Sequence, residues 1–185
     1  AVNRLREQPF LKWAGGKRSL LPVLRRYYPQ TFTRYVEPFL GGGAVFFDLS
    51  ASHRLGASTV LSDLNADVIE CYQAIRDDVE AVIHESLEID AAYHAGGSEV
   101  YYAQRERFVH ADASMPRPVR SAVFLFLNRA GFNGLYRVNA SGAYNVPEGR
   151  YARLPRVRAG VLRQAARALQ QAGVSIACQP FEQAL

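Results

Sequence analysis

One short stretch limits what this chain can fold into more than any other: VEPFLGGGA at residues 36–44, followed some twenty residues later by Asp63. The apolar pair Tyr35 and Val36 reads as a strand, the three glycines as a turn, and residues 44–49 as the helix the turn opens. Glycines at a strand-to-helix turn let backbone approach a ligand, and a carboxylate ending the next strand can take both hydroxyls of a ribose. The pattern therefore points to an adenosine-containing ligand. Gly41 and Gly43 match the first two glycines of the dinucleotide fingerprint, but Phe46 stands where the third belongs. S-adenosylmethionine has no pyrophosphate to cradle, so the departure favours it over NAD. A glycine turn that merely packs a helix on a sheet gives the same pattern, and the turn alone does not decide.

Around this turn the sequence predicts a β-α-β start and a helix-rich middle. Ser19 is a candidate N-cap for a helix over 19–28, with Pro22 tolerated in the first turn. A second strand is expected at 58–61, then helices over 65–75, 79–89, 98–110 and 119–129. Breaks are expected at Gly96-Gly97 and at 115–118. Residues 134–138 and 143–146 flank Asn139-Ala-Ser-Gly142 as a hairpin, with Gly142 at a left-handed position. A helix over 157–172 closed by Gly173 and a strand over 174–178 complete the reading, which shows neither internal repeat nor low-complexity tract.

Two further clusters bear on chemistry. FLKWAGGK at 10–17 is not a phosphate-binding Walker loop, because Leu11 and Arg18 occupy positions that require Gly and Ser or Thr. A lone tryptophan is usually core, yet Trp13 flanked by Lys12 and Lys17 beside a glycine pair also suits an aromatic face with a carboxylate-binding ammonium. The second cluster is a matter of charge. The chain is formally +5, but residues 115–170 hold ten arginines, no lysine and the single acid Glu148, a local +9, so the remainder is net acidic. Within that stretch LNRAGFNGLYRV (127–138) mixes amide, guanidinium and aromatic groups suited to reading base edges and entering opened base stacks. A solvated basic face touching nothing remains the plainer alternative.

Composition sets outer limits. At 185 residues and 49% hydrophobic content the chain can bury one sizeable core, or a core with a modest subdomain. Cys71 and Cys178 have neither CxxC nor metal-ligand spacing, so two reduced, partly buried thiols and no metal are expected. Arg4, Arg6 and Glu7 interrupt any apolar leader, and the longest apolar run, 122–127, cannot span a bilayer. No membrane association and a cytoplasmic location are expected.

Taken together, the chain resembles the Dam family of DNA adenine-N6 methyltransferases. The resemblance is carried in order by residues 10–17, 36–45, 61–65, 124–137 and 144–151 (YNVPEGRY). It implies an α/β Rossmann-like S-adenosylmethionine-dependent methyltransferase fold, truncated, with an inserted helical and hairpin target-recognition subdomain. The implied division is 1–76 for the cofactor-binding part, 77–155 for target recognition and 156–185 for the return. By the same resemblance Trp13, Lys17 and Asp63 contact S-adenosylmethionine, with Phe39 and the Gly41 to Gly43 turn as its bed. Lys12, Leu135 and Arg137 match base-reading positions, Phe132 and Asn133 the wedge that fills the space of a flipped adenine, and Arg150 and Tyr151 backbone contacts. Phe132 replaces the usual tyrosine and Ala152 a basic residue. The partner implied is double-stranded DNA, with GATC as the family's default site and a monomer as the expected state. The family's catalytic DPPY tetrapeptide has no counterpart, since the chain contains no Pro-Pro pair. No catalytic residue is therefore assigned, and this chain alone is expected to be inactive. The alternative is a non-catalytic DNA-binding fragment of such an enzyme.

Overall fold

Three short parallel strands in the order β1-β2-β3 form the sheet that carries the glycine turn. The computed structural model describes residues 8–185, and the stretch holding Arg4, Arg6 and Glu7 lies outside them. In chain order the elements are α1 (Leu21–Leu24), β1 (Arg34–Glu37), α2 (Ala44–Ala51), β2 (Ser58–Asp63), α3 (Ala66–Gly96), α4 (Ser98–Val109), α5 (Arg117–Ala130), α6 (Ala159–Leu169), β3 (Val174–Cys178) and α7 (Phe181–Ala184). Short 3-10 turns at Lys17–Leu20 and Phe132–Gly134 lie between them. Strand β2 is central: Val36 pairs with Val60 on one side, and Leu61 with Ile176 on the other. The glycine turn follows the carboxyl end of β1, and Asp63 closes β2 beside it. Parallel neighbours require crossovers, supplied by α2 between β1 and β2 and by residues 64–173 between β2 and β3.

One continuous core runs from Phe46, Phe47 and Leu61 at the sheet through Tyr72 and Val82 of α3 to Phe124, Phe126 and Tyr144. Helix α5 is its axis: the apolar run 122–127 is entirely buried, so the stretch too short for a membrane serves as the central core helix. Pro118 falls in the first turn of α5, where its missing N–H costs nothing. Helix α6 lays Val161, Leu162, Ala165, Ala166, Ala168 and Leu169 inward, the spacing of one helical face, and keeps Arg163 and Arg167 exposed. Among the described residues no helix is long and apolar enough to cross a membrane.

Several expectations are corrected. The helix over 19–28 shrinks to α1, and Ser19 lies inside the preceding 3-10 turn rather than at an N-cap. That helix buries no residue, so no tertiary packing supports its extension. The helices over 65–75 and 79–89 join as α3, with Asp78 (φ −150°, ψ 67°) marking the break between them. Asn65 caps α3, its side chain accepting from the amides of Asp67 and Val68. The hairpin is reduced to one antiparallel bridge, Val138 with Tyr144, because Tyr136 and Tyr144 turn inward to pack on each other. Gly142 does adopt a left-handed φ of 80°. Helix α6 starts two residues late: the Val157 N–H donates instead to the Asp90 carboxylate at 2.6 Å. Cys71 is buried as expected of a structural thiol, but Cys178 is exposed. Helix α7 was not anticipated.

Candidate functional site

The glycine turn is shaped by what crosses it. Gly41 has φ 47°, and a Cβ there would lie 2.6 Å from Trp13 Cδ1, so only glycine lets the indole rest against the turn. The Gly41 N–H donates to Asp63 Oδ2 at 2.9 Å, the Asn65 N–H donates to Oδ1 at 3.0 Å, and the Tyr72 hydroxyl donates to the Gly41 carbonyl at 3.2 Å. The carboxylate that spacing picked out is thus oriented by two backbone amides beside the turn.

Beneath the turn lies Glu37, only 5% exposed. Its carboxylate accepts from the Tyr35 hydroxyl at 2.7 Å and the Phe46 amide at 3.2 Å, and Lys17 Nζ is 3.9 Å away. Burial pushes the Glu37 carboxyl above its usual range, and Tyr35, Lys17 and the Phe46 amide only partly draw it back. A buried carboxyl therefore stands behind the ammonium that sequence reasoning placed near the ligand.

A cleft of about 990 Å³ opens over these groups. Trp13, Lys17, Phe39, Gly41, Gly43 and Asp63 all line it, so the six residues assigned to the cofactor converge on one space. Lys12 and Asn133 from the DNA-side assignment line it too. Phe132, Leu135, Arg137, Arg150 and Tyr151 are not among the lining residues; they surround the adjoining turn. Phe132 is exposed at the tip, and Asn133 is left-handed with φ 54°. Leu135 packs partly against the core, and Arg137 is held by Asn145, donating from Nε to its side chain at 2.8 Å and from Nη2 to its carbonyl at 2.9 Å. The Tyr151 hydroxyl donates to the Gly131 carbonyl at 3.1 Å, and Lys12 Nζ sits 5.0 Å from the centroid of its ring. Gly134 must be glycine here: a Cβ would meet Lys12 Cβ at 2.5 Å.

The arginine-rich stretch divides in two. Arg117, Arg120, Arg129 and Arg163 pair with Asp77, with Asp67 and Glu70, with Asp90, and with Glu80. Arg137, Arg150, Arg153, Arg156, Arg158 and Arg167 have no acidic partner among the described residues. The local +9 therefore overstates the charge free to meet a polyanion, and five of these six arginines fall within 137–158. Sequence reasoning passed over Asn128 and Arg129, which line the cleft, and Glu37 and Tyr136, which contact its lining residues Lys17 and Trp13. Asn128 and Arg129 lie inside the quoted 124–137 match, but their contacts are with residues far off in sequence. Among the described residues no group of three or more His, Cys, Asp or Glu is placed to hold a metal.

A parallel sheet, a glycine turn after its first strand, a carboxylate ending its second and an arginine-rich flank together describe an α/β domain of the kind that takes an adenosine-containing cofactor. Residues 13–185 match the family of D12 class N6 adenine-specific DNA methyltransferases, and the chain belongs to that family. Enzymes of this class take their methyl group from S-adenosylmethionine. Relatives include the Type II methyltransferase M1.LlaDCHI of Lactococcus lactis subsp. cremoris, 33% identical over 99% of this chain and 62% of that protein. The Type II methyltransferase M.MjaIII of Methanocaldococcus jannaschii is 37% identical over 78% of this chain and 53% of its own length. A DNA adenine methylase of Haemophilus influenzae is 38% identical over 80% and 49%. The chain thus spans about half to three-fifths of the length of these relatives.

Proposed function

We propose that the protein to which this chain belongs transfers a methyl group from S-adenosylmethionine to N6 of adenine in double-stranded DNA, with GATC as its site, acting in the cytoplasm as a monomer. The observation that carries the reading is the convergence of the cofactor residues and of Lys12 and Asn133 on one cleft. A methyl donor and a target base must meet in a single space, and the volume lies at the upper end of that usual for a small-molecule site. The Rossmann-like reading of the fold is supported by the parallel sheet and its glycine turn, and the division at 76 and 155 belongs to the same proposal.

The residues fit the cofactor on their chemistry. The missing side chain at Gly41 lets the Trp13 indole lie against the turn as one wall of the cleft, and the oriented carboxylate of Asp63 is suited to ribose hydroxyls. Lys17 offers an ammonium for the amino-acid carboxylate, and Trp13 and Phe39 offer apolar walls. When bound, S-adenosylmethionine supplies an electrophilic methyl group. On the DNA side Lys12, Leu135 and Arg137 read base edges, Phe132 and Asn133 occupy the space of the extruded adenine, and Arg150 and Tyr151 hold the backbone. The catalytic groups that orient N6 are not assigned to this chain.

Calorimetry with S-adenosylmethionine and competition binding of a GATC duplex against a scrambled one test the reading. Cofactor binding with preference for the GATC duplex is expected. Absence of cofactor binding, or NAD displacing the cofactor, would overturn it. A methyl-transfer assay on the same chain separates the enzyme from the DNA-binding fragment; membership of the family favours the enzyme.

A further inference from the structure

Residues 12 and 13 lie between two surfaces. On one side the Trp13 indole rests on Gly41 of the cofactor turn. On the other, its ring stands 5.8 Å from that of Tyr136, and Lys12 packs on Gly134, both in the recognition region. Beyond Trp13 the chain is exposed through Leu20, and the Gly16 N–H donates to the Trp13 carbonyl at 3.0 Å. What fixes the segment is Asn128 of α5, only 4% exposed. Its Oδ1 accepts from the Lys12 N–H at 2.9 Å, and its Nδ2 donates to the Lys12 carbonyl at 2.8 Å and to the Gly134 carbonyl at 3.4 Å. One side-chain amide thus grips Lys12 as a neighbouring strand would, and spends its second donor on the recognition turn.

We propose that Asn128 is a positioning residue that makes cofactor and DNA binding cooperative, by holding Lys12 and Trp13 in the one placement that both surfaces use. The proposal rests on the reading of the cleft as shared by cofactor and DNA. Lys12 meets the recognition turn and Trp13 the cofactor turn, and the Asn128 amide ties both to α5 and to Gly134. A ligand that sets one face in place therefore sets the other with it, and without the anchor the two faces move independently. Linkage requires the effect to be reciprocal: the factor by which cofactor tightens DNA equals that by which DNA tightens cofactor. An anchor with no such role would change both affinities and stability while leaving that factor untouched.

The test is a binding cycle on the full chain, measuring the dissociation constant of a GATC duplex with and without saturating S-adenosylhomocysteine, and of S-adenosylhomocysteine with and without duplex. The unaltered protein is expected to show the same ratio in both directions, within roughly 5- to 150-fold. Asn128→Ala is expected to bring the ratio to within about twofold of one. Tyr136→Leu, which removes the ring facing Trp13 without touching the amide, is expected to do the same and decides the matter if Asn128→Ala unfolds. Asn128→Asp keeps the acceptor for Lys12 and loses both donors, so an intermediate ratio is expected. A folded variant with the original ratio, or no ratio in the unaltered protein, overturns the inference while leaving the function intact. If the unaltered protein binds neither ligand, the reading of the cleft falls and the inference with it.

Discussion

At Asp63 one carboxylate serves three purposes: it fixes the Gly41 amide, fixes the Asn65 amide, and faces the cleft. Asp63→Ala is expected to weaken S-adenosylmethionine binding by about 1.5–3 kcal/mol, the cost of a lost charged hydrogen-bond partner. Unchanged affinity in calorimetry would remove the assignment. Glu37 makes a different prediction, through pH. Its folded pKa lies above the ordinary carboxylate value, so its contribution to stability is complete at low pH and is lost as pH rises through the folded value. Glu37→Gln lacks that loss, and its melting temperature is expected to gain on the unaltered protein as pH rises above the ordinary carboxylate range; parallel curves would show that burial does not raise the Glu37 carboxyl. Sequence exposed Asp63 and the glycines because their spacing is local. The burial of Glu37 and the grip of Asn128 on Lys12, 116 residues away, depend on packing that no local pattern records.

Between elements, a buried tie runs through Asp90 of α3, with side-chain exposure of 1%, which pairs with Arg129 of α5 and accepts the Val157 N–H ahead of α6. Burial draws the Arg129 guanidinium below its usual value while Asp90 opposes that shift, so the ion is held only by its partner. Asp90→Ala is expected to lower stability by about 3–5 kcal/mol, read from denaturant midpoints, because it strands a buried charge. Asp90→Asn keeps an acceptor for Val157 and should lose less. This tie also explains why the expected start of α6 at 157 was wrong. The strands, α2, α4 and α5 were legible to within a few residues from apolar runs, caps and prolines. The hairpin was not, because Tyr136 and Tyr144 pack into the core instead of continuing a ladder. Arg137 nevertheless keeps a defined place on that turn through Asn145. Arg137→Ala is expected to cost about 1–3 kcal/mol on GATC and little on scrambled duplex, as competition binding would show; equal loss on both would make it a phosphate contact.

Over the whole molecule, charge is sorted by pairing more than by count. Replacing Arg150 and Arg153 together is expected to lower affinity for every duplex and to shrink the salt slope by about two. Replacing the acid-paired Arg117 and Arg163 should leave the slope as it is. An unchanged slope in the first variant would mean that those arginines do not meet phosphates. The sheet has a separate consequence, for the time course of folding. Ser175 donates to the Thr59 carbonyl across β2 and β3, although 116 residues separate them. Closing so long a loop early spends entropy before any contact repays it, whereas α3 can form on its own neighbours. Because β1 and β2 are synthesised well before β3, one edge of β2 lacks its native partner until residues 174–178 are made. Asp63 pairs with Cys178, so the strand that carries it is flanked on both sides only once β3 is made, and a chain interrupted before residue 174 would have its glycine turn but only two strands to carry it.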